Sequence, residues 1–418
     1  MPEHSVGCPC CGLSLNIPPL HAGNEAQCPR CHEELVRIEK QPLDTPLALA
    51  SASLIVMILV YTQLYLTIDI SGLHVDLSLP RMMVGLTQQN FAFLAEVMFL
   101  LTFGSPLLFI LLCLYVYSGL RNQHVLPYML YATRAMVRLR HWMMADVFFI
   151  ATLVAYIKMS TLAQIHFGMA FWLMLVMAIL IIATARSVPH HWIFYQIQRL
   201  RGNDPTLLAK SPHTVSCGYC LFEQPDHYIT CSVCGSILYR RKPFTRRISM
   251  AFLLTAILLY FPANLLPMMI TQAPGTNLAS TIFDGIQIMW KGDDKLIALI
   301  IFSASMAIPI LKMISMLILL YSATYQPFMS PHRLTLLYRI TESIGRWSMI
   351  DIFVVIILMS AFCTPLARVS PGSATVYFCG VVLFTMVSAL SFDSRLLWDQ
   401  AIARRTAKSP STPLSKEW

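Results

Sequence analysis

The chain has 418 residues, 56% of them hydrophobic and only 12% charged, with a mean hydropathy of +0.62. No soluble core of this length holds so much apolar surface, so composition excludes a soluble globular protein and points to an all-α polytopic membrane protein. The net charge of +9 is read as loops facing anionic lipid headgroups, and no nucleic-acid partner is expected.

The first 44 residues are polar and cysteine-rich. Cys8 and Cys11, then Cys28 and Cys31, form two CxxC pairs in the turns CPCCG and CPRCH. Four thiolates at that spacing close a tetrahedron around a structural zinc ion, whose apparent binding energy of about 10–16 kcal/mol can fold so small a module. Cys10 is read as a bystander. The competing readings are a disulfide framework, which a reducing cytoplasm disfavours, and a CxxC redox pair, which lacks its usual βαβ setting. No cleavable signal peptide is read here, and the first apolar run is expected to serve as an uncleaved anchor.

Apolar runs of spanning length fall at about 46–67, 91–118, 143–160, 168–187, 248–271, 296–323, 349–364 and 374–391. They make eight candidate spans, the third and seventh short. Of the 30 lysines and arginines, 24 lie in the N-terminal region, in 119–141, 186–247 and 326–346, and from Arg395 onward. The alternate segments hold only four. Both termini are therefore expected in the cytoplasm. On the far side, IDISGLHVDLSL alternates as a short strand or hairpin would. On the near side, LPYMLYATRAMVRLRH sets Arg134, Arg138 and His141 on one face and reads as an interfacial helix on the inner leaflet.

Cys217, Cys220, Cys231 and Cys234 restart the pattern as a second zinc ribbon, giving two zinc ions as the expected cofactors. The chain is an internal duplication. Pro106 matches Pro309, Trp142 and Asp146 match Trp347 and Asp351 in W-x3-D, and Trp192 matches Trp398. Four spans per half is an even number, so the halves share one orientation as a parallel repeat and leave a seam between them, where transport paths commonly run. The expected domains are a first ribbon (1–44), a first four-span module (45–200), a second ribbon (213–242), a second module (243–403) and a flexible basic tail (404–418).

Polar groups within spans favour the second half. Lys312 lies near the middle of the 296–323 run, with Ser305 two turns earlier and Pro309 between them, where the missing N–H frees the Ser305 carbonyl. Intramembrane cations face a bundle interior or a wet cavity and mark pathways; the plainer alternative is a lysine that snorkels or pairs for packing. Asn264 stands between Pro262 and Pro267. Ser348 and Asp351 share a face, which makes a carboxylate partner for Lys312 conceivable, and Thr385 and Lys158 complete the candidate substrate path. Neither a Walker A motif nor a catalytic triad is present, so no enzyme is expected.

With the tandem ribbons, YFPANLLPMM, IGRWSMIDIF and SFDSRLLWD in view, the chain resembles the paraquat-inducible protein A family, and within it the LetA-like branch. The resemblance covers nearly the whole chain. It implies a multi-pass inner-membrane protein of a Gram-negative bacterium with tetraspanin-like modules. Its partners would be membrane lipids and a periplasmic MCE-domain protein forming a lipid tunnel between the two membranes. The first-half stretch YTQLYL departs from the proline–asparagine motif that the family often carries in both halves. Two rival readings stay open: a membrane thiol redox protein or sensor using the CxxC pairs, and a passive scaffold for a periplasmic partner.

Overall fold

An α-helix rises about 1.5 Å per residue, so the long apolar runs can cross a hydrocarbon layer of about 30 Å. The computed structural model describes residues 1–70, 73–89, 91–159, 164–205, 214–273, 276–291, 295–325, 329–361 and 368–408. In the first half, hairpins β1 (His4–Gly7) with β2 (Ser14–Ile17) and β3 (Glu25–Gln27) with β4 (Glu34–Arg37) build a cysteine ribbon. Helix α1 (Asp44–Thr62) leads to the hairpin β5 (Leu66–Ile70) and β6 (Leu73–Leu77), then α2 (Leu79–Gln88). Next come α3 (Ala92–Phe99), α4 (Ser105–Arg121), α5 (Met129–Leu139), α6 (Ala145–Met159), β7 (Gln164–Phe167), α7 (Met169–Ser187) and α8 (His190–Leu200).

The short strands β8 (Thr214–Ser216) and β9 (Glu223–Pro225) open the second ribbon, and the order then repeats. Helix α9 (Thr245–Leu265), hairpin β10 (Met269–Ala273) and β11 (Thr276–Ser280), and α10 (Ile282–Lys291) match their first-half counterparts. So do α11 (Lys295–Phe302), α12 (Ile308–Thr324), α13 (Pro331–Trp347), α14 (Ile350–Ala361), β12 (Arg368–Pro371), α15 (Ser373–Ser391) and α16 (Arg395–Lys408). Among the described residues seven helical segments are long and apolar enough to span a membrane, and Ala145–Ile157 is a shorter apolar helix. The chain is mostly helical rather than all-α. Helix α16 carries the chain through residues 404–408; residues 409–418, the rest of the expected tail, lie outside the described residues.

Each half closes its sheet end with three antiparallel strands, ordered β6-β5-β7 and β11-β10-β12. The hairpins follow from alternation in the sequence. The third strands do not: each spans only four residues and pairs with a partner about a hundred residues away, Leu66 opposite Phe167 and Met269 opposite Pro371. Glycines make the close approach possible at the same place in each half. A Cβ on Gly168 would lie 2.2 Å from the Leu64 carbonyl oxygen, and one on Gly372 1.9 Å from that of Pro267.

The matched prolines are accommodated alike. A proline ring clashes with the carbonyl four residues back in a regular helix. Here a π turn precedes each one, Leu100–Gly104 before Pro106 and Ser303–Ala307 before Pro309, so the Ser105 and Ile308 N–H groups donate five residues back, to Leu100 and Ser303. The wide turn joins α3 to α4 and α11 to α12 and shifts the register between Ser305 and Lys312, which a simple helical count does not show.

The seam between the halves is packed rather than open. Helices α6 and α14 lie side by side, and Phe148 meets its own counterpart Phe353 edge to face at 5.5 Å, both fully buried. A residue that touches its repeat partner lies on the axis relating the halves. Helix α14 is buried on every face along most of its length, so the seam there is a core.

Candidate metal centres and a buried lysine

Each ribbon is built from two copies of one knuckle. In all four, the residue after the second cysteine takes a left-handed conformation: Gly12 (φ +73°), His32 (φ 56°), Leu221 (φ 62°) and Gly235 (φ 70°). That residue's N–H donates to the carbonyl of the first cysteine, at 3.0 Å from Gly12 to Cys8 and 2.8 Å from His32 to Cys28. The second ribbon repeats the bond at 3.0 Å from Leu221 to Cys217 and 2.8 Å from Gly235 to Cys231. The tight turn points both sulfurs of a pair to one side.

The result is two convergent sets of four buried thiols, Cys8, Cys11, Cys28 and Cys31, and Cys217, Cys220, Cys231 and Cys234. The sulfurs within each set lie within 4.8 Å of one another. Zinc–sulfur bonds of about 2.3 Å place tetrahedral sulfurs about 3.8 Å apart. Cys8 and Cys31 are 3.5 Å apart, Cys11 and Cys28 3.6 Å, and Cys217–Cys234 and Cys220–Cys231 both 3.5 Å. Both sets can therefore hold a metal ion, with the sulfurs arranged as foursomes rather than as disulfide pairs, which bond at about 2.05 Å. Gln224 Nε2 donates to Cys231 Sγ at 3.0 Å, the kind of outer bond that orients a thiolate. Cys10 stands outside its set and faces Arg339 and Ser394.

The ribbons dock mainly crosswise, although His4 of the first also meets His191 of α8 (Nε2–Nε2 2.8 Å) and Arg241 at the end of the second pairs with Asp399 of α16. The first sits on the second half: Arg339 of α13 pairs with Glu33, Ser394 Oγ donates to the Cys10 carbonyl at 2.9 Å, and the Arg30 guanidinium lies 4.3 Å from the Trp398 ring centroid. The second sits on the first half. There His191 Nδ1 donates to the Cys220 carbonyl (2.6 Å), Gln198 of α8 donates to the Val233 carbonyl, Arg138 donates to the Tyr219 hydroxyl, and Arg134 to the Gly235 carbonyl (3.1 Å). Arg134 and Arg138 of the basic stripe thus meet protein, while Tyr128 and Tyr131 of the same segment stay exposed. Between the ribbons, Gly7 N–H donates to the Leu221 carbonyl at 3.3 Å, and a Cβ on Gly7 would fall 2.3 Å from that of Ser216.

Lys312 is buried in α12, only 3% exposed, and among the described residues its ammonium has no hydrogen-bond partner. Its head occupies space left by Gly345 of α13, where a Cβ would stand 3.3 Å from Nζ. Below it, Ser315 Oγ donates to the Lys312 carbonyl (2.9 Å) and Thr341 Oγ1 donates to Ser315 Oγ (2.9 Å). Ser305, Ser348, Asp351 and Thr385 are all buried in the same half. Among the described residues Ser348 Oγ has no hydrogen-bond partner, Thr385 Oγ1 donates to the Val382 carbonyl at 2.9 Å, and Lys312 does not hydrogen-bond Asp351. Asn264 Nδ2 donates to the Tyr260 carbonyl at 2.8 Å, and its buried Oδ1 has no donor among the described residues. The Lys158 side chain lies outside the described residues. Sequence reasoning missed Gly345, Ser315 and Thr341; the repeat offset locates none of them, since their first-half counterparts carry no matching motif.

The family model for "Paraquat-inducible protein A" matches the chain twice, over residues 43–198 and 247–402. The intermembrane transport protein PqiA of Escherichia coli K12 is 29% identical over 400 residues, 94% of this chain and 95% of that one. The lipophilic envelope-spanning tunnel protein A of the same organism is 29% identical over 94% of this chain and 90% of its own length. A probable intermembrane transport protein of Haemophilus influenzae is 25% identical over 95% and 96%. These relatives are named as transport and tunnel proteins, none as an enzyme. No solved structure matches the chain. With both halves matched separately and the two cysteine ribbons outside the matched ranges, the chain belongs to the paraquat-inducible protein A family.

Proposed function

We propose that the chain is an integral inner-membrane transporter that exchanges lipids, phospholipids in the first place, with a periplasmic MCE-domain tunnel linking inner and outer membranes, and so supports envelope integrity. The names of the relatives support transport between membranes, and the family resemblance supplies the MCE partner. Eight spans in two four-span modules of one orientation, with ribbons and both termini in the cytoplasm, accord with the lysine and arginine count. The domains are those expected from the sequence, 1–44, 45–200, 213–242, 243–403 and 404–418. Each ribbon holds one structural zinc ion through its four cysteines.

One observation carries the transport reading: an ammonium buried at mid-span with no hydrogen-bond acceptor among the described residues. A buried cation without a partner costs several kcal/mol, so retaining it for packing alone is unfavourable. In the second module Lys312 meets an anionic phosphate headgroup during transfer. Ser305, Ser348, Asp351, Thr385 and Asn264 line the same path, with Lys158 of the first module at its margin. The seam itself is filled by Phe148 and Phe353, so the path runs within the second module rather than between the modules. The test is lipid transfer between liposomes and the purified partner. Lys312→Ala is expected to lower transfer at least tenfold while the protein still accumulates and still binds its partner. Transfer at the wild-type rate by that variant returns Lys312 to a packing role.

A further inference from the structure

A cavity of about 800 Å³ opens at the ribbon end, where the two halves and the first ribbon meet. Its size falls in the range of about 300–1,000 Å³ typical of small-molecule sites. The first half contributes Arg140 after α5 and Arg186 at the end of α7. The second half contributes Arg346 of α13, and strand β4 of the first ribbon forms a further wall.

The charges do not balance. Five guanidinium groups line the cavity against three carboxylates, those of Glu33, Glu34 and Glu342. Arg339 takes Glu33, and Arg37 is engaged by Glu39 at 3.2 Å, while Glu342 stands 3.8 Å from His141. Among the described residues neither Arg140, Arg186 nor Arg346 forms an ion pair, and none makes a side-chain hydrogen bond. Although Arg140 reaches solvent, desolvation by the surrounding walls lowers its pKa, Arg346 and Arg186 push it the same way, and Glu34 opposes them. Arginine stays charged nonetheless, so the cavity holds an uncompensated positive field drawn from both halves.

We propose that this cavity binds a phosphate-bearing anion, either the headgroup of an anionic lipid or inorganic phosphate, held by Arg140, Arg186 and Arg346. Guanidinium forks match phosphate oxygens two at a time, and three of them from separate elements can surround one group. Phe109, Met386 and Leu390 give the cavity an apolar side, suited to the first carbons of an acyl chain. Gly345 lines the cavity and also stands against Lys312, so this site adjoins the proposed path without using its lysine. The proposal extends the transport reading by giving the path a loading site at the ribbon end.

The test uses the full chain in detergent micelles and a fluorescent phosphatidylglycerol probe, with unlabelled phosphatidylglycerol, phosphatidylcholine and inorganic phosphate as competitors. The triple variant Arg140→Gln, Arg186→Gln, Arg346→Gln is expected to weaken binding at least tenfold. Ser343→Glu, which adds a carboxylate at an exposed position of the same wall and removes no arginine, is expected to weaken it at least threefold and serves where the triple variant fails to fold. Arg247→Gln, outside the cavity, should leave binding unchanged. Competition by phosphatidylglycerol but not by inorganic phosphate assigns a lipid headgroup, and competition by inorganic phosphate assigns the free anion. Wild-type affinity in Ser343→Glu, or phosphatidylcholine competing as well as phosphatidylglycerol, overturns the proposal. Transfer by Lys312→Ala is measured separately, so failure of one reading is distinguishable from failure of the other.

Discussion

The two halves share one scaffold and differ in what they do with buried polarity. In the first, the proline after the π turn leaves the Leu101 carbonyl without its helical donor, and both the Met144 N–H (3.1 Å) and Ser105 Oγ (3.4 Å) reach it. In the second, Ile308 replaces Ser105, and the counterpart Met349 N–H donates to Arg346 instead (3.2 Å). Phe109 fills the place of Lys312, and Met143 that of Ser348. Tyr65 and Thr152 bond each other at 2.7 Å in the first half, whereas their counterparts are Met268 and Ile357. Among the described residues each half keeps buried hydroxyls without a hydrogen-bond partner, Tyr117 in the first and Tyr260, Ser322 and Ser348 in the second, but only the second adds an ammonium, that of Lys312. Duplication allows this division, because the first half can supply rigidity while the second carries groups that cost stability.

The largest effect expected is at the ribbons. Cys28→Ser or Cys231→Ser removes one ligand from a site worth about 10–16 kcal/mol in apparent binding. Because the ribbons dock mainly crosswise, Cys28→Ser should loosen the second half and Cys231→Ser the first. Limited proteolysis of membranes, mapped by half, checks this, and metal analysis should fall from two zinc ions per chain toward one. Cleavage confined to the half that follows each ribbon in sequence would refute the crosswise coupling. The next effect sharpens the contrast at the lysine. Lys312→Phe installs the first-half residue, and it should abolish lipid transfer while stabilising the protein by about 1–4 kcal/mol, as replacement of buried ions by apolar groups commonly does. Thermal unfolding in detergent measures the second part; a destabilised variant would mean that the lysine has a structural partner. Smaller again are Gly372→Ala and Gly168→Ala, where the new methyl meets a backbone carbonyl. Overpacking costs about 1–3 kcal/mol, and the shorter approach at Gly372 ranks it as the more damaging of the two in the same unfolding assay.

Much of this was legible in the sequence. Six of the eight apolar runs became helices at nearly the same boundaries, whereas the first and fifth ran past α1 and α9 into strands β5 and β10; the offsets near 203–206 aligned the halves, and the cysteine spacing marked both foursomes. What stayed hidden depends on distance in the chain. Strands β7 and β12 have four residues each and take their partners from far away, so no local pattern marks them. The docking of each ribbon on the opposite half rests on single contacts such as Glu33 with Arg339, which spacing cannot supply. The arginine cavity was hidden in a different way. Arg140, Arg186 and Arg346 each read as an ordinary positive charge near a span end, and only the fold gathers them. A faint signal existed, since His141 and Arg346 are basic residues immediately before the tryptophan of W-x3-D in both halves.

The smallest effect tests that docking at one bond. Trp398 of α16 donates Nε1–H to Thr335 Oγ1 at 3.0 Å, tying α16 to α13, and offers its ring to Arg30 of the first ribbon. Trp398→Phe keeps an aromatic body and removes the donor, so the loss should be about 0.5–1.5 kcal/mol for the hydrogen bond. Phenylalanine is also the weaker partner for a cation, by a fraction of a kcal/mol. Global unfolding will barely register such a change. The ribbon should, because its undocking exposes Arg30 to trypsin: cleavage at Arg30 is expected to rise several-fold in Trp398→Phe. The repeat provides the control, since Trp192 is the matching residue of the first half and the ribbon seated there is the second one. Trp192→Phe should leave cleavage at Arg30 unchanged, and equal acceleration by both variants would mean that the contact of His4 with His191 on the first half holds the first ribbon as firmly as Trp398 does.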